Sequence, residues 1–268
     1  MKVQFLGTGT SQGVPVIGCG CEVCRSKDPR DQRLRPALLL QYGPTNVAID
    51  AGPDFRQQML RAGIGTLDAL LLTHEHNDHV AGLDDIRPFN FRARRPLRVF
   101  CTERVFTALQ SRFPYVFDEV NPYPGAPRIE WVPIDKDSAF YVGGLRFQPI
   151  EVFHGSWPVL GFRVGDFAYI TDMKTIAEDE FEKLAGTRWL VLNALHHRPH
   201  HSHLNLREAL QLAARVGAEE TYFTHMSHHM GLHAEVEKSL PEGVHLAYDG
   251  LELQLDYQPA IFTGRQES

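Results

Sequence analysis

The segment His74-Glu75-His76-Asn77-Asp78-His79 gathers three imidazoles and the Asp78 carboxylate within six residues. These are the usual ligands of divalent metal ions, so the first chemistry to consider is metal-dependent hydrolysis. A single histidine at a strand end is more often hydrogen-bonded or at the surface, and His233 and His245 read that way. An H-x-H-x-D-H run is far more specific. In an extended loop alternate side chains point the same way, so His74 and His76 can grip one ion while Asp78 and His79 face a second. Two ions need further ligands. His154, Asp172 and His225 each follow a short strand-like run, and they gain weight as a set. His154 and His225 can give one imidazole to each ion, and Asp172 can bridge both with its two oxygens. The ions would then lie roughly 3.5 to 4 Å apart, with a bridging hydroxide as the nucleophile.

A second cluster, Cys19-Gly20-Cys21-Glu22-Val23-Cys24, sits in a Gly-rich loop, with the remaining cysteine far away at Cys101. Neighbours this close resist bridging to one another, so a disulfide framework is a poor reading. Three thiolates need one more ligand to close a tetrahedral zinc. His228 is the candidate, because one loop could hand His225 to the catalytic pair and His228 to the thiolates, with His229 as the competing choice. A site of four protein ligands leaves no open position, so it would add stability rather than turnover.

Short apolar runs that read as strands recur at Val3–Gly7, Ala37–Gln41, Val47–Asp50, Ala69–Thr73, Arg98–Cys101, Arg146–Phe153, Phe167–Thr171, Trp189–Asn193 and Glu220–Thr224. Helical spacing is found at Asp54–Ala62, Glu103–Arg112, Ile176–Leu184, Leu206–Val216 and Ala234–Leu240. This mixture predicts an α/β layered domain. Asp50, His74, His154, Asp172 and His225 all fall at or just after strand ends, and strand ends along one edge of such a fold can converge on a single cleft. The Pro-rich stretch Asn121–Pro133 is expected to be an ordered loop, and a single domain over residues 1–268 is expected because no linker or repeat divides the chain.

The net charge of −6 argues against a large nucleic-acid footprint. The basic run Arg92-Ala93-Arg94-Arg95 reads as a solvated turn. No long apolar segment or cleavage site is found, so the expectation is a cytoplasmic protein with no membrane partner. A homodimer is compatible with the sequence, although no residue pattern argues for it.

The order His74-x-His76-x-Asp78-His79, His154, Asp172, His225 resembles the metallo-β-lactamase superfamily over nearly the whole chain. That resemblance implies a four-layer αββα sandwich with a dinuclear site of zinc or manganese along one edge of its two sheets. It also makes Asp50 a residue that supports the metal loop through hydrogen bonds. Gly13-Val14-Pro15, the cysteine loop and Thr224-His225-Met226-Ser227-His228 are similar to the phosphoribosyl cyclic phosphate phosphodiesterases of the bacterial phosphonate pathway. This implies a small phosphodiester substrate, such as a ribose 1,2-cyclic phosphate.

A general acid must protonate the departing alkoxide, and His196, His197, His200, His201 and His203 are the candidates. The related tRNA 3'-processing endonucleases carry an H-S-T or H-L-T motif just before a helix, and its histidine falls on His203. A different register would move it to His201. Arg198 or Arg207 could contact a phosphate, though an arginine on a helix face is more often only solvated. The Pro88–Pro127 segment, with Phe113-Pro114-Tyr115-Val116-Phe117, could cover substrate, but core packing explains its aromatics at least as well. Two rival readings are a tRNA-processing nuclease, which would need a basic arm, and a pyrroloquinoline quinone pathway protein sharing the C-x-C-x-x-C loop.

Overall fold

The computed structural model describes residues 1–118 and 120–259; of the single domain expected over 1–268, residue 119 and residues 260–268 lie outside the described residues. The first sheet starts with β1 (Lys2–Gly7), β2 (Ala37–Tyr42) and β3 (Thr45–Ile49), an antiparallel meander. It continues in parallel through β4 (Ala69–Leu71), β5 (Leu97–Cys101) and β6 (Ile129–Pro133). The second sheet contains β7 (Phe140–Val142), β8 (Leu145–His154), β9 (Trp157–Val164), β10 (Phe167–Ile170), β11 (Thr175–Ile176), β12 (Trp189–Asn193), β13 (Glu220–Thr224) and β14 (Val244–Leu246). Its β10, β12, β13 and β14 are parallel. The chain returns to the first sheet as β15 (Glu252–Gln254), beside β1.

Alternation along the strands sorts the core into three layers. Val3, Phe5, Leu38, Leu40, Val47 and Ile49 point between the sheets, where they meet Phe147, Leu160, Phe162 and Tyr169. Their neighbours Leu6, Leu39, Ala48 and Leu70 point outward, and pack with Phe55, Met59, Phe89, Val105 and Leu109. Those residues belong to α2 (Phe55–Ala62), α4 (Arg87–Ala93) and α5 (Glu103–Arg112), which follow α1 (Glu22–Arg25) and α3 (Asn77–Val80) in the chain. The outer face of the second sheet is covered by α6 (Glu178–Glu182), α7 (Leu206–Val216) and α8 (His233–Val236), with Leu190, Leu192, Leu206, Ala209, Ala213 and Val236 buried together. The result is the αββα sandwich.

Glu103–Arg112 and Leu206–Val216 form at their expected bounds, the latter between an Asn205–Glu208 capping box and a left-handed Gly217. Other bounds differ. Ile129–Pro133, expected within a loop, is the edge strand β6, where a proline is tolerated because its missing N–H faces no partner. Ile176 belongs to β11, so its helix is only Glu178–Glu182. The last helix is His233–Val236, followed by a 3₁₀ turn at Glu237–Ser239. Arg92 and Ala93, expected in a turn, end helix α4, and Arg94 adopts the left-handed conformation that stops it. In the Pro88–Pro127 segment Phe106, Phe113 and Phe117 pack against the outer core, as core packing requires.

Gly52 shows how closely the backbone approaches the metal-type loop. A Cβ there would lie 2.0 Å from the carbonyl oxygen of Asp78. Gly52→Ala is therefore expected to push α3 away and to cost about 1–3 kcal/mol or more, as overpacking does. Thermal unfolding measures this cost, and an unchanged midpoint would show that α3 yields freely.

Candidate metal centre

All the strand ends singled out in the sequence meet at one edge, where the two sheets are also joined by backbone bonds. Leu160 N donates to Thr73 O at 3.0 Å, and Met226 N to Thr8 O at 3.0 Å. Residues 77–80 are not extended loop but helix α3, with His76 at its N-cap, so Asp78 and His79 emerge from a helical first turn. The His74 ring lies 4.6 Å from that of His76, 4.2 Å from that of His79 and 6.2 Å from that of His154. Thus the two halves of the run face one another across a single cavity of about 430 Å³, whose lining includes His76, Asp78, His154, Asp172, His203 and His225.

Asp172 stands at the centre. Its Oδ2 is 3.2 Å from His79 Nε2, and its Oδ1 is 3.2 Å from His225 Nε2 and 3.8 Å from His203 Nδ1. Asp78 Oδ2 is 3.3 Å from His79 Nε2. A tetrahedral ion with bonds near 2.0 Å separates its ligand atoms by roughly 3.3 Å, so the spacing of Asp78, His79, Asp172 and His225 fits one ion. His154 and His203 share a second cluster with Asp172. His154 Nδ1 donates to Ser202 O at 2.9 Å, which leaves Nε2 with its free lone pair. His74 Nε2 and His79 Nε2 are buried without a hydrogen-bond partner. Such orphaned nitrogens are costly unless a ligand completes them.

Asp50 supports this loop from below. It accepts from His79 Nδ1 at 2.7 Å and from Thr73 N at 2.9 Å. The first bond fixes the His79 tautomer and points its Nε2 into the cavity. Asp50, Asp172 and His225 all adopt left-handed backbone, with φ of 67°, 55° and 58°. This conformation is strained for non-glycine residues and turns each side chain off its strand axis towards the cavity.

Charge follows from burial and neighbours. Burial holds the pKa of His74 well below the ordinary imidazole value, and also lowers those of His225 and His76. Burial, with His225, pushes His203 down to about 2. Burial opposes the charged form of His79 too, but Asp78, Asp50 and Asp172 together raise it well above its usual value. For Asp172, burial is outweighed by His225 and His79, which hold the carboxyl ionised. Neutral imidazoles at His74, His76 and His225 and an ionised Asp172 carboxylate are the forms that bind a cation, and a cation at His79 Nε2 would take the place of the proton that its neighbouring carboxylates favour there.

The cysteine cluster also assembles. His228 Nδ1 is 3.3 Å from Cys19 Sγ, 3.3 Å from Cys21 Sγ and 3.5 Å from Cys24 Sγ. With Zn–S near 2.3 Å and Zn–N near 2.0 Å, the corresponding edge of a tetrahedron is roughly 3.5 Å, so these spacings fit zinc. The Cys24 amide and the His228 ring hold the Cys21 thiol down to about 6, whereas burial pushes Cys24 up to about 11.

A profile described as the β-lactamase superfamily domain matches residues 45–226. The chain belongs to the metallo-β-lactamase superfamily. Of solved structures, a new diphosphatase from the PhnP family superposes with a TM-score of 0.88 at 40% identity, over 94% of this chain and 96% of that one. Zinc-bound PqqB from Methylobacterium extorquens superposes with a TM-score of 0.75 at 19% identity, over 95% of this chain and all of that one, a likeness of fold. An octanoyltransferase of Porphyromonas gingivalis is 44% identical over 96% of this chain but only 52% of its own length. The chain spans about half the length of the curated relatives it matches. Membership in the superfamily and the assembled His and Asp set give the domain the ligand array of a metal-dependent hydrolase.

Other expected residues are placed elsewhere. His203 is buried in the cavity wall, but His201 is exposed, with its ring 4.4 Å from that of His200. The His229 ring lies 4.0 Å from that of His228, tilted by 38°, and stands with His196, His197 and Arg198 around a separate pocket. Arg207 is exposed on α7. No helix among the described residues is long and apolar enough to cross a membrane. Arg112 escaped sequence reasoning: it lines the cavity, donates to Asn77 Oδ1 at 3.0 Å and to the Glu75 carbonyl. No short-range spacing links it to residues 35 and 37 positions away.

Proposed function

We propose that the domain is a dinuclear phosphodiesterase acting on a small phosphodiester, with a cyclic ribose phosphate as the simplest substrate. The observation that carries this reading is the Asp172 carboxylate, which belongs to two ligand clusters at once, one with Asp78, His79 and His225 and the other with His154 and His203. His74, His76, His154 and Asp172 would hold one divalent ion, zinc or manganese, and Asp78, His79, Asp172 and His225 the other. When bound, such a pair supplies Lewis-acid stabilisation of phosphoryl oxygens and an activated water.

The chain's own groups do the rest. Asp50 keeps His79 aimed at the cavity, Arg112 presents a fixed guanidinium to the phosphate, and His203, whose neutral form burial favours, would carry the proton for the departing alkoxide once the negative charge of a bound phosphate stands beside it. The Cys19, Cys21, Cys24 and His228 set would hold a structural zinc apart from the chemistry. Likeness to a PhnP-family diphosphatase over nearly both full lengths favours phosphoryl over acyl transfer.

Hydrolysis of bis(p-nitrophenyl) phosphate by zinc-, manganese- or nickel-loaded protein tests this reading, and no turnover with any of the three would end it. Comparing ribose 1,2-cyclic phosphate, 2',3'-cyclic nucleotides and a thioester then ranks substrates. Arg112→Ala is expected to raise KM about 10- to 100-fold, the value of one charge-assisted hydrogen bond, with a smaller change in kcat. Arg112→Lys should recover part of the loss, and equal KM values for all three proteins would remove Arg112 from the substrate.

A further inference from the structure

The hairpin between β8 and β9 places a second residue beside the cavity. His154 and Trp157 are directly opposed across the turn, and Gly155 adopts a φ of 62°, as two-residue hairpin turns require. Opposed residues of antiparallel strands project from the same face, so the turn that delivers His154 to the cavity also delivers the Trp157 indole to its rim. That ring lies 5.9 Å from the ring of His76, which lines the cavity. It is 49% exposed, so burial does not account for it.

The indole is also held in place. The Arg104 guanidinium lies 4.6 Å from its ring centroid. Arg104 in turn donates to Glu75 Oε1 through Nε at 3.0 Å and Nη2 at 2.6 Å. Glu75 is buried between His74 and His76, so Trp157 is braced, through Arg104, against the metal-type loop itself. A braced aromatic ring with open surface is organised in advance for stacking, which limits the entropy lost on binding.

We infer that Trp157 is a stacking platform for a nucleobase, so that among the small phosphodiesters proposed above the site favours a nucleoside phosphate ester over a ribose cyclic phosphate without a base. The inference rests on the phosphodiester reading above. With the phosphate in the cavity beside Arg112, the base of the same nucleotide would extend to the rim, where Trp157 stands 5.9 Å from the cavity-lining His76. Stacking of this kind tolerates any base, because every base has a π-face.

The test is calorimetric titration of the zinc-loaded protein with AMP and with ribose 5-phosphate. AMP is expected to bind about tenfold more tightly, the gain from stacking one base. Trp157→Ala should bring AMP to the level of ribose 5-phosphate, and Trp157→Phe should keep most of the preference. Equal wild-type affinities, a preference that survives Trp157→Ala, or no binding of either ligand at millimolar concentration would overturn the inference. If Trp157→Ala does not fold, quenching of wild-type indole fluorescence by AMP and not by ribose 5-phosphate carries the test, with equal quenching the contrary result. Binding is read without turnover, so failure of the phosphodiesterase reading would appear separately, as retained AMP preference with no hydrolysis of bis(p-nitrophenyl) phosphate.

Discussion

Asp172→Asn is expected to lower kcat for a phosphodiester by at least ~10³-fold, because loss of a single oxyanion-hole donor already costs about 10²–10³-fold and this carboxylate serves both proposed ions. The asparagine keeps the side-chain volume and suits the left-handed backbone at φ 55°, so the variant separates charge from shape. Without the negative charge, the proposed ions lose the anionic ligand whose oxygens lie 3.2 Å from His79 Nε2 and from His225 Nε2. Metal analysis should find the catalytic pair depleted to one ion or fewer, while the zinc proposed at the cysteines is retained. Asp172→Ala should show the same loss of activity with a further fall in stability, about 1–3 kcal/mol, because alanine is strained at this φ and leaves the buried imidazoles unpartnered. Full activity with two catalytic ions in either variant would defeat the bridge.

The His and Asp positions that meet at the sheet edge were legible in the sequence because each lies just past an apolar strand, where the change from apolar run to His or Asp is visible without any knowledge of the fold. Asp50, His74, Asp172 and His225 follow β3, β4, β10 and β13, whose buried runs announce them. What the sequence concealed depends on long-range register. In β9, Pro158 and Gly161 interrupt the strand pattern, yet both sit in the antiparallel ladder with β8. A Cβ on Gly161 would lie 2.8 Å from Tyr169 O, so that glycine marks close approach of strands rather than a turn. Because β9 was hidden, so was the opposition of His154 and Trp157. Arg112 was hidden for a similar reason, since only the packing of α5 on the first sheet brings its last turn to the Glu75 carbonyl. Which of His201 and His203 enters the cavity wall was hidden too, because it depends on the pitch of the loop before α7, which buries His203 and exposes His201.

The second large effect is expected at the cysteines, where Cys21→Ser should lower the thermal midpoint by on the order of 10 °C. Structural zinc contributes about 10–16 kcal/mol in peptides that fold only around it. Here only one loop depends on the ion, so a global cost of several kcal/mol is expected, at about 2–4 °C for each. The local need is clear from what else holds the loop. Helix α1 buries none of its own side chains, and Ile17 is fully exposed. Its remaining attachments are thin: Val16 N donates to Cys24 Sγ, and beyond the loop Val14 and Arg33 exchange backbone bonds. The same turn that supplies His228 begins at His225, and Thr10 N donates to Met226 O at 3.0 Å between them. Loosening the cysteine loop should therefore reach the cavity through Thr10 and Ser11, and lower kcat several-fold without removing a catalytic ligand. Scanning calorimetry, zinc analysis and thiol titration before and after chelation test the chain of effects. The expected result is one tightly held zinc whose removal exposes three thiols; an unchanged midpoint and zinc content in Cys21→Ser would mean that the thiols pack without an ion.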